Sequence, residues 1–223
     1  MNKNVEDILR DVRTAIDEIA LNDSDFFGGS DNLEFDEIVR QKLAEAVDFV
    51  HGNANANLVD FGDASVKSKD LTNGASADNG SISTGYEYRI KKPDNFLRFI
   101  QGVMDCWSEY VTETIDAGDP DYLKVQDEYS GASVLRPAIL WDGRQFRFIK
   151  GASDEHKATV LYFERCSYDP NSTTPAESIE INKALYTALV YYLSGLVLMT
   201  YGEQRADDMF NMAMTHMGVA TKA

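Results

Sequence analysis

ALYTALVYYLSGLVLMTYG, residues 184–202, runs nineteen positions without a charged side chain. Three environments tolerate such a helix: lipid, the core of its own domain, or a face shared between its own chain and a partner. A membrane span needs roughly 20 predominantly apolar residues. Here Thr187, Tyr191, Tyr192, Ser194, Gly195, Thr200 and Tyr201 dilute the apolar content, and no cluster of Lys or Arg flanks the segment. The composition therefore argues against lipid and leaves core and shared face open. Tyrosine suits a shared face, because it buries area while keeping a hydroxyl for a polar contact. Tyr186, Tyr191 and Tyr192 are accordingly candidate interface residues. The helix is placed from about Asn182 to Tyr201, with Gly202 ending or bending it. A last helix, Glu203 to about Met217, sets Ala206, Met209, Phe210, Ala213 and Met217 on one face.

The other end of the chain has the same character. Val5, Ile8, Leu9, Val12, Ile16 and Ile19 fall at helical steps, and Asp, Glu and Arg fill the opposite face. Asn22–Ser30 interrupts the pattern. Asp31 and Glu34 then have capping-box spacing ahead of a second stripe, Phe35, Ile38, Val39, Leu43, Ala46, Val47 and Val50. Residues 1–51 thus read as a helical hairpin. Between the helical ends the period changes. Residues 52–85 are rich in Asn, Gly, Ser, Asp and Ala and read as a long loop or arm, whose apolar patch Leu58, Val59 and Phe61 is a candidate contact for a neighbouring subunit. Residues 86–170 read as β structure. Tyr86, Tyr88 and Ile90 alternate with polar residues, residues 134–141 (VLRPAILW) are strand-like with Pro137 at an edge, Asp142-Gly143 is a hairpin turn, and Thr159–Phe163 is a further strand. Residues 171–223 return to helix. The expected fold is α+β: a helical bundle formed by the N- and C-terminal helices, with an antiparallel sheet or small sandwich inserted between them.

Charge restricts the function. The chain of 223 residues carries a formal net charge of −16. Residues 1–60 alone hold 14 acidic and 5 basic side chains. Such a surface gains no counterion-release energy from DNA phosphates, so a reader of nucleic-acid sequence is disfavoured; a passage through which DNA slides would benefit from not gripping it. Cys106 and Cys166 are too few for a disulfide scaffold and are expected as reduced thiols. The N-terminal stretch, with Glu6, Asp7 and Asp11, lacks the apolar core of a signal peptide, so the chain is expected in a cytosol.

The common catalytic fingerprints, G-x-G-x-x-G, Walker A, H-E-x-x-H and G-x-S-x-G, are missing from the sequence. His51, His156 and His216 are far apart. His156 in 153-Ser-Asp-Glu-His-156 reads as a solvated turn. Asp116, Asp119 and Asp121 resemble a fragment of a calcium loop but lack its twelve-residue spacing and closing Glu. No cofactor, metal or catalytic residue is expected.

Four further stretches carry a resemblance. They are residues 12–18 (VRTAIDE) with 32–51 (NLEFDEIVRQKLAEAVDFVH), residues 94–111 (DNFLRFIQGVMDCWSEYV), residues 119–140 (DPDYLKVQDEYSGASVLRPAIL) with its Pro-Asp-Tyr-x-x-x-Gln and later Arg-Pro, and residues 181–210 (INKALYTALVYYLSGLVLMTYGEQRADDMF). In these the chain resembles the head-to-tail connector (adaptor or neck ring) proteins of tailed bacteriophages, especially those of Bacteroides-infecting and crAss-like phages; the length and composition of the 52–85 loop depart from that pattern. The resemblance implies a structural virion protein of the neck, made in the host cytoplasm. It implies a ring of about twelve copies under the portal protein, extending the DNA channel and offering a platform to other neck and tail proteins, without sequence-specific DNA binding. It further implies that the small C-terminal tail, including Val219 and Lys222, docks into the portal. Two alternatives stand beside it: a cytosolic enzyme or small-ligand protein whose site no motif reveals, and another neck or tail component such as a stopper or tail terminator.

Overall fold

A computed structural model describes residues 1–20, 32–71, 81–82, 85–127, 131–151 and 157–219. The fold is α+β, and the chain divides into two compact units: Met1–Val66 with Arg165–Ala223, hereafter the helical unit, and Lys67–Glu164, hereafter the β unit.

The helical unit begins with strand β1 (Asn2–Asn4) and helices α1 (Val5–Ala20) and α2 (Asn32–Asn53). The stripes expected from periodicity are the buried ones. Val5, Ile8, Leu9, Val12 and Ile16 are buried on α1, and Phe35, Val39, Leu43, Ala46, Val47 and Val50 on α2, where Ile38 is half-buried. Their polar faces are tied together by Arg13–Asp36 at 2.5 Å and by Arg40–Glu6. The expected breaker 22–30, the Asp31 cap and the Ile19 side chain lie outside the described residues.

The uncharged segment is the centre of this unit. A short 3-10 turn, Lys183–Leu185, leads into a helix over Tyr186–Thr200, and a further helix covers Ala206–His216. The Tyr186–Thr200 helix packs against α1, α2 and the Ala206–His216 helix, and buries Ala188, Leu189, Val190 and every residue from Leu193 to Leu198. By length and composition Lys183–Thr200 is apolar enough to cross a membrane, and half of that window is buried inside the protein. Both helices end in the same way. Gly202 at φ +75° lets its N–H reach the Met199 carbonyl while Glu203 N–H reaches that of Leu198, and Gly218 at φ +68° repeats the arrangement with Thr215 and Met214. Each is a Schellman motif, in which a left-handed glycine satisfies carbonyls that the helix leaves open.

At Gly195 the two C-terminal helices approach closely. A Cβ there would lie 2.7–3.0 Å from three ring carbons of Phe210. Gly195→Ala is therefore expected to displace that ring and cost about 1–2 kcal/mol, measured by denaturant unfolding against wild type.

Among the described residues the β unit contains eight strands: β2 (Val66–Leu71), β3 (Ser81–Ile82), β4 (Gly85–Lys91), β5 (Phe96–Met104), β6 (Ile115–Asp116), β7 (Ala138–Trp141), β8 (Gln145–Gly151) and β9 (Ala158–Glu164). They form a three-stranded sheet, β2-β9-β5, in which β5 and β9 run antiparallel, and a five-stranded sheet, β3-β4-β8-β7-β6, in which all neighbours are antiparallel except the β6–β7 pair. Tyr88 and Ile90, Ile139, and Phe146 and Phe148 from the larger sheet share one core with Met104, Ala158, Val160 and Tyr162 from the smaller. The two faces thus bury each other, as in a sandwich. The Asp142-Gly143 turn joins β7 to β8, with Asp142 Oδ1 accepting from Arg144 N and Gln145 N at 2.9 Å each.

Two readings are corrected. Residues 52–85 are not one long loop: they include a 3-10 turn at Ala56–Leu58, strand β2, strand β3 and the first residue of β4. Strand β2 (VKSKDL) escaped the sequence pattern because it is an edge strand with apolar residues only at its ends. The second is the N-terminus. Residues 2–4 are not part of the first helix but pair antiparallel with β10 (Ser178–Glu180), Lys3 opposite Ile179.

Candidate interaction surfaces

We number the Tyr186–Thr200 and Ala206–His216 helices α4 and α5, and the four-residue helix Tyr122–Val125 α3. The three tyrosines singled out on α4 are half-buried and engaged within their own unit. Tyr186 Oη donates to Asp11 Oδ2 at 2.5 Å, with Lys3 Nζ 4.4 Å from its ring centre. Burial, and then donation to that carboxylate, push the phenol well above its ordinary range. Tyr192 stacks on Phe49 at 4.2 Å and 6°, and tilts against Phe210 at 5.4 Å. Tyr191 stacks on His216 of α5 at 5.4 Å.

Leu58, Val59 and Phe61 belong to a strap, Asn55–Ser65, whose position is fixed by a buried polar clasp. Asn182 is fully buried. Its Oδ1 accepts from Asp60 N (3.2 Å) and Ala184 N (3.3 Å), and its Nδ2 donates to Asp60 O (3.0 Å) and Ser65 Oγ (3.3 Å). Asn182 N donates to His51 Nε2 at 3.2 Å. Beside it the Asp63 carboxylate accepts from the Met1 ammonium, from Ser65 N and Oγ, and from Lys183 N. Burial opposes the charge of Asp63, but these donors outweigh it and hold its pKa down to about 2. Burial lowers His51 to about 4. On the strap itself Val59 turns inward, while Leu58 and Phe61 stay 42% and 43% exposed. Leu58 lies against the end of α5: a Cβ on Gly218 would stand 2.8 Å from its Cδ1, and Asn55 N donates to Met217 O at 2.7 Å. The strap patch and half-buried Val219 therefore come close together, whereas Lys222 lies outside the described residues.

The outer face of α5 forms an open groove of about 440 Å³, lined by Asp208, Asn211, Met212, Thr215 and His216. Met212 is 39% exposed there.

In the β unit, the Pro-Asp-Tyr-x-x-x-Gln and Arg-Pro residues converge at one end of the larger sheet. Arg147 of β8 donates to Tyr122 Oη at 2.7 Å and to Gln126 Oε1 at 3.4 Å, and Gln126 Nε2 donates to Tyr122 O. Tyr122 and Val125 pack on Ala132, Ala138, Leu140 and Ile149. Over this support lies a second groove, about 290 Å³, with Ile115, Val125, Ala132, Pro137 and Ala138 as its apolar lining and Arg136 at its rim. Asp121 also lines it but is paired to Lys124 at 2.6 Å. Leu123 and Leu135, sequence neighbours of lining residues, are 78% and 76% exposed.

Asp119 Oδ1 accepts from Asp121 N at 2.8 Å, so part of the acidic run shapes a turn. Cys106 and Cys166 are free thiols, and burial raises the latter's pKa. His156 lies outside the described residues, among which no three His, Cys, Asp or Glu side chains are grouped to hold a metal. Sequence reasoning missed the clasp and the α5 face. The first depends on residues more than a hundred positions apart, whereas Asp208 and Met212, one helical turn apart, were in plain view but off the buried stripe.

No protein-family model matches this chain, and no curated protein matches it in sequence.

Proposed function

We infer that this chain is a structural subunit of a phage neck: a head-to-tail connector that assembles into a ring of about twelve copies below the portal, extends the DNA channel and joins the capsid to the tail. The observation that carries this reading is the presence of two unlike exposed surfaces on the two units of one chain. One is the acidic, methionine-bearing face of α5, and the other is the apolar groove with Arg136 at its rim. A ring of identical copies uses heterologous contacts, so each copy must carry two different faces. The net charge of −16 supports the reading too, since a channel lined by carboxylates repels the DNA that must slide through it. The four stretches named above carry the family resemblance.

Native mass spectrometry and negative-stain microscopy of the purified chain, alone and with its cognate portal protein, test this. Closed rings, or portal-dependent rings, are expected. Monomers under both conditions at tens of micromolar would overturn the reading.

A further inference from the structure

The geometry points to a specific contact between copies: the Arg136 rim of the β-unit groove on one copy seats on the outer face of α5 on the next, with Arg136 facing Asp208 and the apolar lip packing on Met212. This rests on the ring reading above and adds to it which surfaces meet.

The chain has 21 Lys and Arg against 37 Asp and Glu, so carboxylates to pair with are plentiful. Arg10, Arg13, Arg40 and Arg165 are all within ion-pair distance of a carboxylate, as are Lys3, Lys42, Lys124 and Lys157, whereas Lys69, Lys91, Arg144 and Lys183 form no ion pair among the described residues, and Arg136 joins that second group while also lining a groove. The Arg136 guanidinium makes no hydrogen bond or ion pair among the described residues; only its backbone is engaged, with Ser133. It stands between a leucine that is 76% exposed and a proline that lines the groove. Arginine on an apolar rim is the composition enriched at interface hot spots.

The receiving surface has the opposite character. Asp208 forms no ion pair among the described residues and lies one helical turn from exposed Met212. His216, a turn further on, stacks on Tyr191, so that face is backed by the core helix α4. Methionine adapts to irregular apolar partners, which suits it to receive Leu135 and Pro137. Both grooves are open, and each supplies what the other lacks: an unengaged guanidinium with aliphatic neighbours on one side, an unengaged carboxylate with a thioether on the other. Because the two surfaces differ, the contact is head-to-tail and propagates round a ring.

The test uses the full-length chain. Arg136→Asp and Asp208→Arg each place like charges opposite one another at every contact. Each is expected to weaken self-assembly at least tenfold in concentration, read by mass photometry, with the far-UV circular dichroism spectrum unchanged because both side chains are exposed. Mixing the two variants in equal amounts is the decisive arm. In an alternating assembly the introduced aspartate of one variant meets the introduced arginine of the other at one contact. The native Arg136 and Asp208 meet at the next. The mixture is therefore expected to assemble where neither variant does alone. Arg144→Asp, an exposed control with the same change in net charge as Arg136→Asp, is expected to assemble like wild type. If wild type assembles and either single variant assembles equally well, or the mixture fails to recover, this contact is overturned while the ring reading stands. If wild type stays monomeric alone and with portal, both are overturned.

Discussion

Asn182→Ala is expected to reduce the unfolding free energy of the helical unit by about 3 kcal/mol, more than any single surface change in the chain. The side chain is fully buried, and its amide is used at both ends. Truncation leaves Asp60 N–H, Asp60 C=O, Ser65 Oγ and Ala184 N–H without the partner each now has. A buried polar group stripped of its partner costs about 1–3 kcal/mol, and the small cavity left behind admits water that recovers part of the sum. Asn182→Asp separates hydrogen bonding from packing. It keeps the shape and the acceptor toward Asp60 N–H and Ala184 N–H, but it turns the donor toward Asp60 C=O and Ser65 into a second oxygen, close to the Asp63 carboxylate. The loss is expected to be at least as large as for Ala at neutral pH, and to shrink as the new carboxyl protonates. Urea unfolding followed by tyrosine fluorescence checks both. Hydrogen exchange is expected to show the strap Asn55–Ser65 opening first, because Asn182 ties it down at two of its residues. A loss under about 1 kcal/mol for both variants would mean that the clasp is incidental to the position of the strap.

How much of this was legible beforehand follows from the range of the forces involved. Periodicity reports burial, so the buried stripes of α1 and α2, the α4 segment and the strands β4, β7 and β9 could be read directly. The Asp142-Gly143 turn is local chemistry and was equally visible. Strand β2 was not, because a polar edge strand acquires its conformation from its neighbour and not from its own pattern. Nor was the β1–β10 pair, three residues long and separated by more than 170 positions. The site followed the same division. Tyrosine content marked α4, yet Tyr186 and Tyr192 spend their polar and aromatic capacity on Asp11, Phe49 and Phe210 within the chain. Sequence identifies which side chains favour contact; which partner takes them is decided by the fold. Arg136 shows the reverse. Its Arg-Pro setting is part of the family resemblance, but that it has no carboxylate partner among the described residues becomes visible only with the neighbours in place.

The same clasp makes the helical unit sensitive to mild acid, and here the sign follows from His51. The ring is 3% exposed, and its Nε2 accepts the Asn182 N–H, a role that requires the neutral imidazole. Burial lowers its pKa from 6.5 to about 4; the facing Asp63 carboxylate pulls the other way, and the Met1 ammonium reinforces the drop. Below pH 6.5 the unfolded chain takes up a proton that the folded chain refuses, so protonation favours unfolding. The contribution is intact above pH 6.5, is lost as pH falls from 6.5 toward 4, and changes no further below that. At about 1.36 kcal/mol per pH unit the loss over this window is about 3 kcal/mol. Asp63 acts in a separate, lower window: its contribution is present above pH 3.8 and fades as pH approaches 2. His51→Gln distinguishes the histidine from the general acid sensitivity of a chain with many carboxylates, since the glutamine amide oxygen can accept the Asn182 N–H and does not titrate. Between about pH 7.5 and 4 wild type is expected to lose about 3 kcal/mol more than His51→Gln, measured by urea unfolding at half-unit steps. Parallel curves for the two proteins would show that His51 titrates normally and that the clasp tolerates the imidazolium.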